Sequence, residues 1–429
     1  MTKRKIILGE YLEFEKGISV PRDRLSITNN IAYLHYGDIY KIYNHVVDID
    51  KEIDNILKIS TDEKYKKTQL LKDGDIVYNL TSESVDDLGK AVYIRNPNNI
   101  PFVSGMETTI MRVTDKSILL PEYLNYILST YKFKCLLRQY VTGMKVYRVH
   151  PRDIGRIEIE VPDINEQKKI IDILNPFNDK IELNNQMNQT LEEIENLLYK
   201  RWFVDFEFPD DKGNPYKSSG GEMINSELGM IPKGWEVKKL GEIELIITDF
   251  VSNGSFASLK ANTKIYKEEN YAVFVRNTDL KSGKFETYVD EKTYQFLSKS
   301  KLLGGEIIIS NVGDVGSVFL CPRINKKMTL GNNVILVKSQ ESKIYWNYYL
   351  YIFLKSSLGK ALLESITSGS AQMKFNKTDF KKLKFIAPNF NTLEEFNKIF
   401  DKNIFLQNNY KAENTKLQTM KKELLKELI

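Results

Sequence analysis

Asp153-Ile154-Gly155-Arg156-Ile157-Glu158-Ile159-Glu160-Val161-Pro162 returns later in the chain as Asp379-Phe380-Lys381-Lys382-Leu383-Lys384-Phe385-Ile386-Ala387-Pro388, with the aspartate, the alternating apolar residues and the proline in the same places. The shift is a constant 226 positions, from Asp153 to Asp379. Read backwards without a gap, it pairs Thr142-Gly143 with Ser368-Gly369 and Tyr123-Leu124 with Tyr349-Leu350. Looser matches lie further out. Leu8-Gly9-Glu10 answers Leu240-Gly241-Glu242, and Lys72-Asp73-Gly74-Asp75-Ile76-Val77-Tyr78 answers Gly304-Gly305-Glu306-Ile307-Ile308-Ile309, in each case a turn followed by a β-rich run. A long internal repeat constrains architecture more firmly than any short motif. Residues 11–69 and 243–300 share little beyond isolated positions such as Asp38 and Asp279, so two similar frames carry dissimilar middles.

Each half therefore reads as a mixed α/β domain followed by a long helix. After Pro162 a helical pattern runs through Ile170 and Ile173 to Asn175-Pro176. Proline lacks the N–H and suits a first helical position after an Asn cap, so the expectation is a short helix, a kink, then a helix from about Asn175 to Arg201. Phe177, Ile181, Met187, Leu191, Ile194 and Leu198 form a narrow apolar seam with a polar gap at Asn184 and Asn185. The chain's last residues repeat the arrangement at Leu393, Phe396, Phe400, Ile404, Tyr410, Leu417, Met420, Leu424 and Leu428, with Asn408 and Asn409 at the gap. Paired antiparallel, such helices would make a strut roughly 40 to 60 Å long with one domain at each end. Between the halves, residues 208–234 have the Pro, Gly, Ser and Asp content of a linker loop.

At 429 residues the chain is long enough for two to four domains, and 42% hydrophobic with 28% charged residues excludes wholesale disorder and a membrane-embedded body. No early segment has secretory character, and no apolar run approaches twenty residues, so the expected compartment is the cytoplasm. Cys135 and Cys321 alone cannot build a disulfide framework or a four-cysteine zinc site, and both are expected as buried thiols. The net charge of +5 resolves into +1 over 1–165, −6 over 166–229, +9 over 230–390 and +1 over 391–429. The first block closes on a basic stretch, Lys132, Lys134, Arg138, Lys145, Arg148, Arg152 and Arg156 against Asp153.

Enzymatic signatures are missing. Neither G-x-G-x-x-G nor G-x-x-x-x-G-K-[ST] occurs. The glycines of Asn311-Val312-Gly313-Asp314-Val315-Gly316 lie between two β-rich runs and read as a hairpin tip. Asn175-Pro176-Phe177 has only part of the adenine methyltransferase element, and Pro209-Asp210-Asp211-Lys212 crowds its carboxylates into one turn, where they cannot surround a metal. His35 has no partner for acid–base chemistry and reads as structural; His45 and His150 complete a meagre imidazole supply. No catalytic and no metal-ligating residue is expected.

The residues from Lys180 to Ile194, then Leu197-Leu198-Tyr199-Lys200-Arg201-Trp202-Phe203-Val204-Asp205-Phe206, and later Ser226-Glu227-Leu228-Gly229-Met230-Ile231-Pro232-Lys233-Gly234-Trp235-Glu236-Val237-Lys238-Lys239-Leu240-Gly241, resemble the central region of type I restriction-modification specificity (S) subunits. Thr367-Ser368-Gly369-Ser370-Ala371-Gln372-Met373-Lys374-Phe375-Asn376-Lys377-Thr378-Asp379-Phe380 is similar to that family's recurring end-of-domain element; the first copy, Val141 to Arg148, departs from its Gly-Ser-Ala-Gln form.

This resemblance implies an α/β (mixed α+β) fold with two target-recognition domains in pseudo-twofold repeat, separated by two long antiparallel helices. The implied division is an N-terminal recognition domain at 1–163, a central conserved helical region at 164–207, the linker loop at 208–234, a C-terminal recognition domain at 235–389 and a conserved helix at 390–429. The subunit would do no chemistry. Each domain would read one half of a bipartite, asymmetric double-stranded DNA target, and two methyltransferase subunits would dock on the helices, joined by endonuclease/translocase subunits. S-adenosylmethionine, ATP and Mg would belong to those partners, not to this chain. The residues expected at the DNA are Lys145, Arg148, Gln372 and Lys374 near the end elements, with loop residues Asn79, Thr81, Asn311 and Asp314. The competing readings are a non-catalytic two-domain protein-binding scaffold and a self-contained methyltransferase-specificity fusion, the latter opposed by the missing cofactor motifs.

Overall fold

The computed structural model describes residues 3–339, 346–369 and 372–429, so Ser370 and Ala371 of the end element lie outside the described residues. The chain divides into two compact units, Met1–Asn185 with Tyr410–Ile429, and Gln186–Asn409.

In the first unit the strand Ile76–Asn79 sits at the centre of a five-stranded sheet, between Thr108–Val113 and Ala91–Arg95, with Leu12–Lys16 and Val46–Asp48 outside them. Its four residues are all buried, because alternate side chains feed two cores. Ile76 and Tyr78 pack with Met111 and Val113, while Val77 packs with Val92, Ile94 and Ile110. The helices Pro121–Ser129 and Tyr131–Arg138 contribute to the first of these cores. A three-stranded sheet of Lys58–Ile59, Ile31–Leu34 and Phe102–Ser104 lies in the same unit. Arg4–Ile7 pairs antiparallel with Glu158–Val161, joining the first described residues to the strand that leads into the long helix. Asp75 accepts a bidentate ion pair from Arg112, Nε to Oδ1 at 2.8 Å and Nη2 to Oδ2 at 2.6 Å, and also accepts from the Lys72 N–H, locking the turn before the central strand.

The second unit repeats the frame. Ile307–Ser310 is central in a four-stranded sheet with Val334–Ser339, Leu245–Asp249 and Val318–Leu320, and again its alternate residues serve two cores. The 226-residue shift holds element by element: Pro121–Ser129 becomes Asn347–Lys355, Glu158–Val161 becomes Lys384–Ala387, and the long helices begin at Ile164 and Phe390. The dissimilar middles fold differently. The second unit has a five-stranded side sheet of Ile265–Tyr266, Tyr288–Val289, Ala272–Val275, Met328–Leu330 and Lys301–Leu302, where the first has three strands. Mixed α/β architecture in two copies is thus the observed class. Among the described residues, no helix is long and apolar enough to cross a membrane.

Four expectations need correction. The helix does not restart at Asn175: it runs unbroken from Ile164 to Tyr199 with Pro176 inside. Asn175 is no cap, since its Oδ1 accepts from the Tyr126 hydroxyl at 2.7 Å and its Nδ2 donates to Glu122 at 3.0 Å. Buried Ile170, Ile171 and Leu174 before the proline and Ile181 after it hold the helix through the missing hydrogen bond. Residues 208–234 are no free linker. Phe208 stacks between Tyr216 and Trp235 at 4.6 and 4.9 Å, and Met223–Ser226 pairs with Gly229–Pro232, because the aromatic residues carry enough apolar surface to fold the segment onto the second unit's core. Cys321 is buried but Cys135 is exposed, on the outer side of its amphipathic helix.

The helix seam also differs. Asn184 is fully buried, whereas Met187 and Ile194 are exposed. In the first unit Asn184 Nδ2 donates to Asn414 Oδ1 at 2.8 Å, Asn414 Nδ2 donates to Asn185 Oδ1 at 2.9 Å, and Lys421 Nζ donates to Asn178 Oδ1 at 2.6 Å, so the segments run antiparallel. In the second unit Gln407 donates to Glu195. Around the polar gap of the second helix it is therefore Gln407 and Asn414 that are buried, as Thr392 and Asn397 are nearer its start, while Asn408 and Asn409 face solvent; helical phase, not the Asn-Asn doublet, sets which residues turn inward.

Candidate nucleic-acid interface

Each unit closes a segment with the same backbone exchange. Thr142 and Arg148 exchange backbone hydrogen bonds at 2.9 and 2.8 Å, and Ser368 and Lys374 do so at 2.9 Å in both directions. The turn within requires glycine. Gly143 has φ +95° and Gly369 φ +114°, and a Cβ would meet the Val146 carbonyl oxygen at 2.1 Å or that of Gln372 at 2.4 Å. A cationic residue closes each loop, and the helix that follows is capped by His150 Nδ1 in one unit and by Asn376 Oδ1, the residue 226 positions on, in the other.

The closed loop is zipped to the segment after the central strand. Tyr147–Arg148 pairs antiparallel with Thr81–Ser82, and Val149 N–H donates to Leu80. In the second unit Val312 bridges Lys374, Gly313 N–H donates to Met373, and Asn311 exchanges bonds with Phe375. Residues far apart in sequence thus meet: Thr81 pairs with Arg148, and the Asn311-Val312 segment pairs with Lys374 and Phe375.

The residues expected at the DNA divide by exposure. Lys145, Arg148, Gln372 and Lys374 all reach solvent, and among the described residues the carboxylate within ion-pair distance of Arg148 is Glu107, at 3.9 Å. Asn79 is a correction: it ends the central strand with no exposed surface, and its Nδ2 donates to the Tyr36 carbonyl at 3.1 Å. Thr81 is likewise a buried strand residue, its carbonyl accepting from the Tyr40 hydroxyl at 2.8 Å. Asn311 is half-buried and ties the loop through Phe375. The Asn311 to Gly316 segment does join two antiparallel strands, as a hairpin tip. Asp314 on it is exposed but committed: Lys281 at 2.6 Å and the Ser317 hydroxyl at 2.6 Å hold its carboxyl below the usual range.

Sequence reading missed the cationic residues that frame the second loop. Lys281, Lys355 and Lys360 line an open hollow of about 770 Å³ beside Asp314 and Met373. The repeat could have pointed to Lys360, which stands 226 positions after Lys134. The three histidines have structural places: His35 caps a helix through Gly37 N–H, His150 caps another, and His45 is buried against Asn125, where burial pushes its pKa well down. Among the described residues no group of three His, Cys, Asp or Glu side chains could hold a metal ion.

Two copies of one α/β frame, each presenting a loop closed at a cationic residue, define a protein of two tandem α/β domains. The chain matches the family described as Type I restriction modification DNA specificity domain over residues 6–193 and again over 232–421, and it belongs to that family as a specificity subunit with two recognition domains. It is 25% identical to the type I restriction enzyme HindI specificity subunit of Haemophilus influenzae, across 93% of this chain and 94% of that one. It is 35% identical to the MjaIX specificity subunit of Methanocaldococcus jannaschii over 40% of this chain and 36% of the relative. The fold is similar to the crystal structure of a type I restriction-modification S subunit from M. genitalium, with TM-score 0.53 at 14% identity, covering 100% of this chain and 96% of that one.

Proposed function

We propose that each unit reads one half of a bipartite, asymmetric DNA target through its closed-loop face, and that the long helices fix the number of unread base pairs between the halves. The observation that carries this reading is the closed loop itself: one backbone device with a cation at its closing position, carried twice on sheets that otherwise differ. Phosphate contacts from Lys145, Arg148 and Lys374 set register without sequence information, while side chains of the dissimilar middles meet base edges. Asn79, Thr81 and Asn311 support the loops from behind, and Asp314 positions Lys281.

The same chain docks two methyltransferase subunits on its helices, and endonuclease/translocase subunits complete the complex. Exposed Met187, Ile194 and Leu197 on one long helix, and Ile399, Phe405 and Leu406 on the other, supply the apolar surface for that contact in the second unit. S-adenosylmethionine, ATP and Mg then reside in the partners. A target adenine inside a duplex must be flipped out by the methyltransferase, which this subunit assists by holding the flanking duplex.

Methylome sequencing of cells with and without this gene tests the reading. A split motif that disappears with the gene is the expected result. Exchange of residues 235–389 for those of another specificity subunit then changes one half of the motif and preserves the other. An unchanged methylome, or a motif without a gap, overturns the proposal.

A further inference from the structure

The first unit holds a cavity of about 840 Å³ between the helix Tyr131–Arg138 and the last turns of the helix Phe390–Leu428. Six cationic side chains reach its wall: Lys132, Lys134, Arg138, Lys421, Lys422 and Lys426. Among the described lining residues the one acidic side chain, Asp86, is already bonded to Arg138 at 2.8 Å. Lys134 is tied to the Asp86 carbonyl, Lys426 to Glu423 at 2.8 Å, and Lys132 has Glu160 at 4.0 Å. Lys421 and Lys422 meet no carboxylate within ion-pair distance among the described residues.

Lys421 is the centre of the argument. Its ammonium is half-buried, donates to the neutral Asn178 Oδ1 at 2.6 Å and lies 5.6 Å from the Tyr126 ring. A cation withdrawn from water and faced only by neutral groups is costly, and an incoming anion offsets that cost. Burial brings its pKa down to about 8, in keeping with this geometry. In the second unit the residue 226 positions earlier is Glu195, a buried carboxylate that accepts from Gln407 at 3.1 Å. The charge is inverted at this position between the copies, so Lys421, unlike Lys134 with its counterpart Lys360, is no part of the frame they share.

Its walls are mixed. Val85, Leu425 and Ile429 line it beside the lysines. A duplex backbone offers charge on a convex, hydrophilic edge. A recess with both cations and apolar wall instead matches a flexible chain that carries carboxylates next to apolar side chains. We propose that this cavity docks an acidic segment of a protein partner, with an Asp or Glu carboxylate at Lys421 and Lys422 and a neighbouring apolar side chain against Leu425 and Ile429. The proposal is independent of how the two units read DNA.

The test uses the full chain and a fluorescein-labelled peptide of alternating glutamate and leucine, followed by fluorescence anisotropy, with an all-glutamate peptide and a duplex as the other probes. Saturable binding of the alternating peptide is expected, weakened at least about tenfold in Lys421→Met and separately in Lys422→Glu, with duplex affinity unchanged. Lys422 is exposed, so its variant keeps the fold if the Lys421 variant does not. No saturable binding to the wild-type chain, or binding untouched by both substitutions, overturns the proposal. So does an all-glutamate peptide that binds equally well, or loss of duplex affinity in either variant, which would assign the cavity to nucleic acid.

Discussion

Thr142 and Arg148 each donate a backbone N–H to the other's carbonyl, at 2.9 and 2.8 Å, so that the arginine side chain leaves a closed loop rather than a free one. Ser368 and Lys374 stand in the same relationship in the second unit. A cation held on a closed loop has less conformational freedom to lose on binding than one on a mobile segment, which is what the proposed phosphate contact would use.

Gly143→Ala and Gly369→Ala should each open one loop. Both glycines have positive φ, and an added methyl would strike a backbone carbonyl oxygen across the turn. The expected cost is about 1–3 kcal/mol of local strain. Thermal unfolding should fall by a few degrees while duplex affinity, measured in complex with the methyltransferase, falls further than that loss of folded protein explains.

Lys374→Ala and Arg148→Ala should weaken duplex binding alike on target and non-target sequences. A lost phosphate contact lowers the slope of log affinity against log salt by about 1. A salt titration of the wild type and variants checks this, and an unchanged slope removes the residue from the interface.

Asp75→Ala leaves Arg112 partly buried without its bidentate partner. Breaking a pair of this kind costs about 3–5 kcal/mol. Urea denaturation should show the midpoint of the first unit lowered, whereas Asp153→Ala, which breaks the exposed pair with Arg156, should change it by less than about 1 kcal/mol.

Asn184→Leu takes the donor from the buried Asn414 Oδ1, and from Glu413, while Asn414 keeps its bond to Asn185, and should destabilise the first unit by roughly 1–3 kcal/mol. The double variant Asn184→Leu, Asn414→Leu should regain most of that stability. Buried polar pairs also set register, so sedimentation and cross-linking of the double variant should reveal slipped or additional helix pairings.

Lys421 gives the first unit a pH dependence. Its pKa is about 8 in the folded chain, against about 10.4 for an unfolded lysine. Between those values the unfolded chain binds the proton that the folded chain has released, so stability rises with pH from about 8 to 10. Below pH 8 both forms carry the charge and the burial cost, on the order of 3 kcal/mol, is fully present. The groups around the ammonium, His45, Tyr126 and Asn178, bring no negative charge at neutral pH. The wild-type minus Lys421→Met difference in unfolding free energy should therefore grow in favour of the wild type across that window.

Much of the candidate site's framework was legible because the repeat aligns its two loops. A shift of 226 residues placed the loops at Thr142-Gly143 and Ser368-Gly369, and glycine there has a steric reason that sequence displays directly. Burial was not legible. Asn79 and Thr81 look like loop residues beside a turn, yet they lie in short strands whose side chains point inward, since strand alternation depends on where the ladder begins. Asp314 is expected from the sequence as a loop residue at the DNA, and its pairing with Lys281, a residue of a dissimilar middle, has no signal in the repeat.

The sequence by itself determined the two-copy architecture, the positions of the closed loops and the long helices that follow them, because covalent order and local sterics are shared by both copies. Tertiary structure alone decided that Pro176 stays inside its helix, that Phe208 folds the supposed linker onto the second unit, and that Asn184 and Lys421 turn inward. Those outcomes rest on tertiary contacts, 49 positions apart for Tyr126 and Asn175 and 243 for Asn178 and Lys421, whose packing outweighs the local preference of proline, of a glycine-rich segment or of a polar side chain.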